Sequence, residues 1–119
     1  MDKIYIPVAA LILLDILTGL MKAVYKEGIN STVLRKGLFH KLSEIVTVAG
    51  CGLADYMTTY IDFGFEIHIL KPVAIYICIM ELISIIENIG EVNEPLKKFF
   101  APYLDKLKGE ADEHENERD

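Results

Sequence analysis

Three stretches of the chain are apolar enough and long enough to cross a lipid bilayer as helices. They cover about residues 4–22, 44–62 and 70–89. At a rise of 1.5 Å per residue, helices of this length are about 28 Å long, and the hydrocarbon core of a bilayer is about 30 Å thick. The pattern therefore predicts an all-α integral membrane protein with three transmembrane helices, in a single membrane domain over residues 1–108.

Shorter segments of different composition connect and follow these spans. Residues 23–41 are rich in bases and carry leucines at helical spacing, which fits either a helix on an anionic membrane surface or a solvated connector. Residues 94–108 combine aromatic and basic side chains and predict an interfacial helix, whereas residues 109–119 hold six acids and one base and predict a disordered acidic tail. The bases expected at the membrane surface are Lys22, Lys26, Arg35, Lys36, Lys41, Lys97 and Lys98.

Each predicted span carries polar side chains along one helical face. In the third span, Glu81, Ser84 and Asn88 follow at spacings of three and four residues and share one stripe. A charged acid near the middle of a span costs about 2.5–3.5 kcal/mol on insertion, so such faces should turn toward other helices or a water-filled lumen. The residues expected to line a pore or a subunit interface are Asp15, Thr18, Gly19, Glu44, Asp55, Glu81, Ser84, Glu87 and Asn88.

Small residues in the second span indicate close helix packing. Gly50 and Ala54 form a small-xxx-small pair, and Gly52 adds another place where backbones can approach. Because three short helices cannot enclose a lumen alone, we expect a homo-oligomer in which several copies turn their polar faces inward. The alternative is that the polar groups only hold helices together, without a passage.

The distribution of bases predicts the orientation in the membrane. Bases are abundant in the first connection and after the third span, but the connection over residues 62–66 contains no Lys or Arg. The positive-inside rule therefore places the first connection and the C-terminus in the cytoplasm and the N-terminus outside.

Enzymes, metal proteins and nucleic-acid binders find no support in the sequence. It contains no hydrolase, zinc-protease or phosphate-loop motif, and no catalytic residue is assigned. Cys51 and Cys78 lie apart in apolar segments, and the three histidines are scattered, so no metal site or cofactor is expected. No basic stripe suggests nucleic acid, and no feature suggests a small-molecule substrate.

Several short motifs, taken in order, resemble a known family. They are D-I-L-T-G at residues 15–19, Ser31, K-G at residues 36–37 and E-L-I-S-I-I-E-N at residues 81–88. This set resembles the phage lysis and toxin-secretion holins of Gram-positive bacteria and their phages, over about residues 10–100. The acidic tail departs from the family pattern.

The resemblance implies a small protein of the bacterial cytoplasmic membrane that accumulates and then oligomerises into lesions at a set time. Its implied partners are membrane lipid, further copies of the chain, and a functionally coupled endolysin or toxin that the lesions release. These properties follow from the resemblance and not from the residue pattern alone.

Two other functions are compatible with the same residues. One is a small ion or proton channel or transporter subunit, with Asp15, Asp55 and Glu81 as relay groups. Transporters usually have repeated halves, which three spans without internal repetition do not provide. The other is a membrane scaffold, for which the polar helix faces are the only support. A neighbouring gene for a cell-wall hydrolase would favour the holin over both.

Overall fold

The fold is all-α, as the sequence predicts. The computed structural model describes residues 2–26 and 28–117, and this part of the chain contains four helices and no strand. The helices are α1 (Asp2–Lys26), α2 (Ser31–Tyr60), α3 (Leu70–Val92) and α4 (Glu94–Glu117).

Helices α1 and α3 pack side by side and run in the same direction. Their apolar contact buries Val8 and Ile12 of α1 against Val73 and Ile77 of α3. At the other end of the pair, Lys26 forms an ion pair with Glu91, so the C-terminal ends of both helices lie together. This parallel pair is the centre of the molecule.

Helix α2 returns antiparallel to that pair. Gly28, at φ +88°, allows the turn after α1, and the Asn30 side chain caps α2 by accepting hydrogen bonds from the backbone N–H groups of Thr32 and Val33 at 2.9 and 3.3 Å. The predicted basic connector and the predicted second span therefore form one continuous helix. Its one apolar residue in the central core is Val48.

Helix α4 folds back against α3 after a break at Asn93. Lys97 packs on Gly90, and Lys108 Nζ lies 3.6 Å from Glu87 Oε2. The side chains of α4 that are shielded from solvent recur at spacings of four and three residues: Phe100, Leu104, Leu107, Ala111 and His114. This stripe gives α4 a packed face along its length.

The predicted disordered tail is not confirmed. Helix α4 begins where the interfacial helix is predicted but continues through Glu117, and only the last two residues of the tail lie outside the described residues. The acidic composition favours disorder, yet Glu and Ala are good helix formers and Ala111 is only 5% exposed. Helix propensity together with this packing extends the helix beyond residue 108.

Two helices are long and apolar enough to cross a membrane: Lys3–Lys26 and Leu70–Val92. They correspond to the first and third predicted spans. Among the described residues α2 does not reach the same hydropathy, because Gly, Thr, Tyr and Asp55 interrupt the apolar residues of its second half. The third transmembrane helix is therefore not confirmed.

Candidate functional site

An ion cluster joins α1, α2 and α3 in the middle of the bundle. Lys41 of α2 places its ammonium between Asp15 of α1 and Glu81 of α3. Lys41 Nζ donates a hydrogen bond to Asp15 Oδ2 and contacts both Glu81 carboxylate oxygens at 2.8 Å. Asp15 is 6% exposed and Glu81 2%, so both acids are withdrawn from solvent. One cation thus serves two buried carboxylates on different helices.

Hydrogen bonds donated by an amide and a hydroxyl extend this cluster along α1 and α3. Asn88 Nδ2 donates to Asp15 Oδ1 at 3.1 Å and to the Thr18 hydroxyl at 3.2 Å. The Thr18 hydroxyl in turn donates to the Leu14 carbonyl at 2.9 Å. A Cβ added at Gly19 would lie 3.7 Å from Asn88 Nδ2, so the small residue leaves room for the amide. The predicted polar stripes of the first and third spans therefore face each other.

Glu44 adds a third acid one turn further along α2. Its Oε1 lies 3.6 Å from Lys41 Nζ, too far for a hydrogen bond, and this buried atom has no hydrogen-bond partner among the described residues. Lys41 thus has three carboxylates within 4 Å of its ammonium and forms hydrogen bonds with two of them.

Two open clefts lie on either side of this cluster. The first, between α2 and α3, has a volume of about 560 Å³, and the second, among α1, α2 and α3, about 650 Å³. Gly37, Lys41 and Ser84 line both clefts. The ion cluster thus forms the partition between two spaces that are open to the surroundings of the bundle.

Asp55 is not part of the cluster and has a different role. Its carboxylate accepts hydrogen bonds from the backbone N–H groups of Ile69 and Leu70, at 2.8 and 3.2 Å. The first N–H groups of a helix have no partner inside the helix, and Ile69 has no side chain that can cap them. Asp55 therefore caps α3 from α2. The remaining predicted acid, Glu87, is exposed and lies beside Lys108 of α4.

Of the small residues expected at helix contacts, Gly52 lies against a neighbouring helix and Gly50 does not. A Cβ added at Gly52 would overlap the Tyr5 hydroxyl, so Gly52 permits the contact between α1 and α2. Nothing lies within 4 Å of the same position at Gly50, which is exposed, and Ala54 is half-buried. Within one copy of the chain, Gly52 alone of the two glycines is used for packing between helices.

Most bases predicted at the membrane surface lie on the outside of the bundle. Arg35, Lys36 and Lys98 are exposed, and Lys22 is half-buried at a cleft. Lys41 differs, because its side chain is only 15% exposed and is held by the acids of α1 and α3. The pattern of residues along the chain did not predict this role of Lys41. The sequence does contain a feature that indicates this role. Two acids in separate apolar spans need a counter-charge, and Lys41 lies one turn before Glu44 on the polar face of α2.

The described residues contain no group of three or more His, Cys, Asp or Glu side chains arranged to hold a metal ion. The contacts that the site does contain are buried charge pairs and hydrogen bonds between helices.

Comparisons with known proteins match almost the whole chain. A family model described as the bacteriophage holin family matches residues 1–109. An uncharacterized protein of Halalkalibacterium halodurans, BH0965, is 31% identical over 100 residues, which cover 84% of this chain and 74% of that protein. No solved structure matches the chain.

Proposed function

Because the chain belongs to the bacteriophage holin family, we propose that it oligomerises in the cytoplasmic membrane and forms lesions that release an endolysin, or a toxin, from the cell. Holins form membrane pores and do not catalyse reactions, so the chain is not an enzyme. Family membership and the two membrane-length helices make it a membrane protein of the holin type.

The observation that carries this proposal is a buried ion cluster between two membrane-length helices, of which α1 has an apolar outer face. Leu13 is 67% exposed, Leu17 55% and Val24 64%, all on α1. A soluble protein rarely leaves so much contiguous apolar surface uncovered, whereas lipid covers it without cost. The same helices turn Asp15 and Glu81 inward to Lys41, as insertion of acids into a bilayer requires.

The direction of the helices supports a third crossing by α2. If α1 and α3 cross the membrane in parallel, the chain between them must return to the starting side. Helix α2 has 30 residues and a length of about 45 Å, which suffices for this return. The bases of the first connection place that end in the cytoplasm, with the N-terminus outside and the C-terminus inside.

Helix α4 lies on the cytoplasmic surface in the proposed membrane form. Its second half carries Lys106, Lys108, Glu110 and further acids, and alongside α3 these charges would reach the depth of the hydrocarbon core. Rotation at the break around Asn93 would move α4 to the interface. There the exposed Leu96, Phe99 and Tyr103 enter the lipid beside Lys97 and Lys98.

Open surfaces on α2 support association between copies. Gly50 meets no neighbour within its own chain, and the cleft between α2 and α3 exposes Glu44 and Ser84. A second copy packed at Gly50 and Ala54 would enclose these polar groups between subunits. The proton-relay alternative has less support, because Asp55 caps α3 instead of joining Asp15 and Glu81.

The proposal is tested by induced expression in a bacterium, with and without a co-expressed cell-wall hydrolase. Culture turbidity, membrane potential and hydrolase release are followed, and membrane abundance is measured by blotting. We expect the parent chain to depolarise the membrane in both cultures and to lyse cells only with the hydrolase. A parent that accumulates in the membrane without depolarising it would refute the holin function.

A matched pair of variants tests the role of the cluster. Glu81→Gln removes a buried charge, and Glu87→Gln removes an exposed one a little under two turns away on the same helix. We expect Glu81→Gln to delay or abolish permeabilisation and Glu87→Gln to keep the parent's schedule. Equal schedules at equal membrane abundance would show that the cluster has no part in lesion formation.

A further inference from the structure

We infer that the larger cleft binds one anionic phospholipid, with its phosphate at Lys22, beside the Lys26–Glu91 ion pair, and an acyl chain along the apolar wall. This basic cleft, of about 650 Å³, is formed by the C-terminal half of α1, the start of α2 and the end of α3. Its volume lies within the range of about 300–1,000 Å³ that is usual for ligand sites, so the cleft is large enough for part of a lipid molecule.

The walls of the basic cleft are mainly apolar and open sideways. Ile16 and Leu20 line it from α1, and Ile29, Val33 and Leu38 line it from the turn and α2. The last three side chains are 57%, 66% and 45% exposed. An acyl chain lying along this wall would cover these three apolar side chains.

One base of the basic cleft is placed to bind an anion. The titratable lining consists of Asp15, Lys22, Lys26 and Lys41. Lys41 is shared by Asp15 and by Glu81 outside the lining, and Lys26 pairs with Glu91 just outside it. Lys22 forms no ion pair with a carboxylate of the described residues. Lys22 is therefore the base of this lining that can pair with a phosphate.

The position of the basic cleft fits a lipid of one leaflet. It lies where α1 and α3 end together and α2 begins, which is the end that the bases place at the cytoplasmic surface. Anionic lipids attract lysines near a membrane surface by about 1 kcal/mol each, a factor of about five in affinity. The inference rests on the proposed membrane location but not on lesion formation, so lipid retention and lysis are measured separately.

The test uses the purified full-length chain in bilayers of equal parts phosphatidylglycerol and phosphatidylcholine. After extraction with mild detergent, the lipids that remain bound are identified by native mass spectrometry. We expect phosphatidylglycerol to be retained over phosphatidylcholine. Lys22→Gln should lower that retention about fivefold, and Lys36→Gln, an exposed base outside the cleft, should leave it unchanged.

A second pair of variants tests the apolar wall without changing charge. Ala23 lines the basic cleft, so Ala23→Trp should fill it and reduce lipid retention, whereas Val24→Trp changes an exposed neighbour outside the lining and should not. Circular dichroism checks that each variant keeps its helix content. Equal retention of the two lipids by the parent overturns the inference, and so does equal loss in both members of either pair.

Discussion

At the ion cluster one ammonium faces three carboxylates, those of Asp15, Glu44 and Glu81. Two of the acids belong to helices of membrane length, and the base comes from the helix between them. Since an unpaired buried charge is far less favourable than a paired one, the position of α2 and the burial of the two acids depend on each other. Lys41 is thus the residue that ties α2 to the parallel pair.

Replacing Lys41 by methionine should strongly destabilise the chain. Lys41→Met keeps the length of the side chain but leaves Asp15 and Glu81 without their shared counter-charge. Breaking a buried ion pair in this way costs about 3–5 kcal/mol. The measurement is thermal unfolding of the purified chain in detergent, together with its protease resistance.

The control for this prediction is Lys36→Met, five residues earlier on the exposed side of α2, which should change stability little. Adding Glu81→Gln to Lys41→Met should restore part of the loss, because one of the unpaired charges is then removed. If Lys41→Met unfolds at the same temperature as Lys36→Met, the cluster does not hold the helices together.

At the scale of helices, α2 meets its neighbours through a few specific contacts. The Asp55 carboxylate caps α3, and Gly52 admits the Tyr5 ring of α1. Both contacts lie toward the end where α2 finishes and α3 begins. These two contacts hold the C-terminal part of α2 against the pair of α1 and α3. The ion cluster holds α2 against the same pair nearer its N-terminal end.

Gly50 and Gly52 of α2 should respond oppositely to substitution by alanine. Gly52→Ala places a methyl group on the Tyr5 hydroxyl and should push α1 and α2 apart, lowering the unfolding temperature. Gly50→Ala meets no atom within 4 Å and should raise stability by up to about 1 kcal/mol, the usual difference in helix propensity. Denaturant unfolding followed by circular dichroism measures both. Destabilisation by Gly50→Ala in the monomer would show that this face is already occupied.

At the scale of the whole molecule, the parallel arrangement of α1 and α3 determines what the membrane form requires. Side-by-side parallel helices that cross a bilayer must be joined by a chain that crosses back. Helix α2 has the length for this crossing, and its Lys41 is paired with the acids of α1 and α3. Helix α4 is also long enough to cross, but its many charged side chains favour a position at the membrane surface.

Cysteine labelling in intact cells tests this topology. In a chain with Cys51 and Cys78 replaced by alanine, Glu66→Cys lies in the exposed connection before α3, and Ser31→Cys lies at the start of α2. An impermeant maleimide should label residue 66 in intact cells and residue 31 only after the membrane is opened. Labelling of both from the same side would exclude a crossing by α2.

The sequence by itself determined the helical class, the approximate positions of α1 and α3, and the polar face of each; the spans predicted over residues 4–22 and 70–89 lie inside the observed helices Asp2–Lys26 and Leu70–Val92. The spacing of Glu81, Ser84 and Asn88 follows from the helical period, and Asn88 indeed bonds to the polar face of α1.

The tertiary structure alone decided which side chains meet across helices. A period places residues on a face but does not say which helix that face contacts, so Asp55 was grouped with the other acids although it caps α3. The long stem of Lys41 carries its charge away from its own backbone, from a basic segment into the core. The extension of α4 beyond residue 108 likewise depends on the burial of Ala111. This burial is a tertiary contact, which local composition does not reveal.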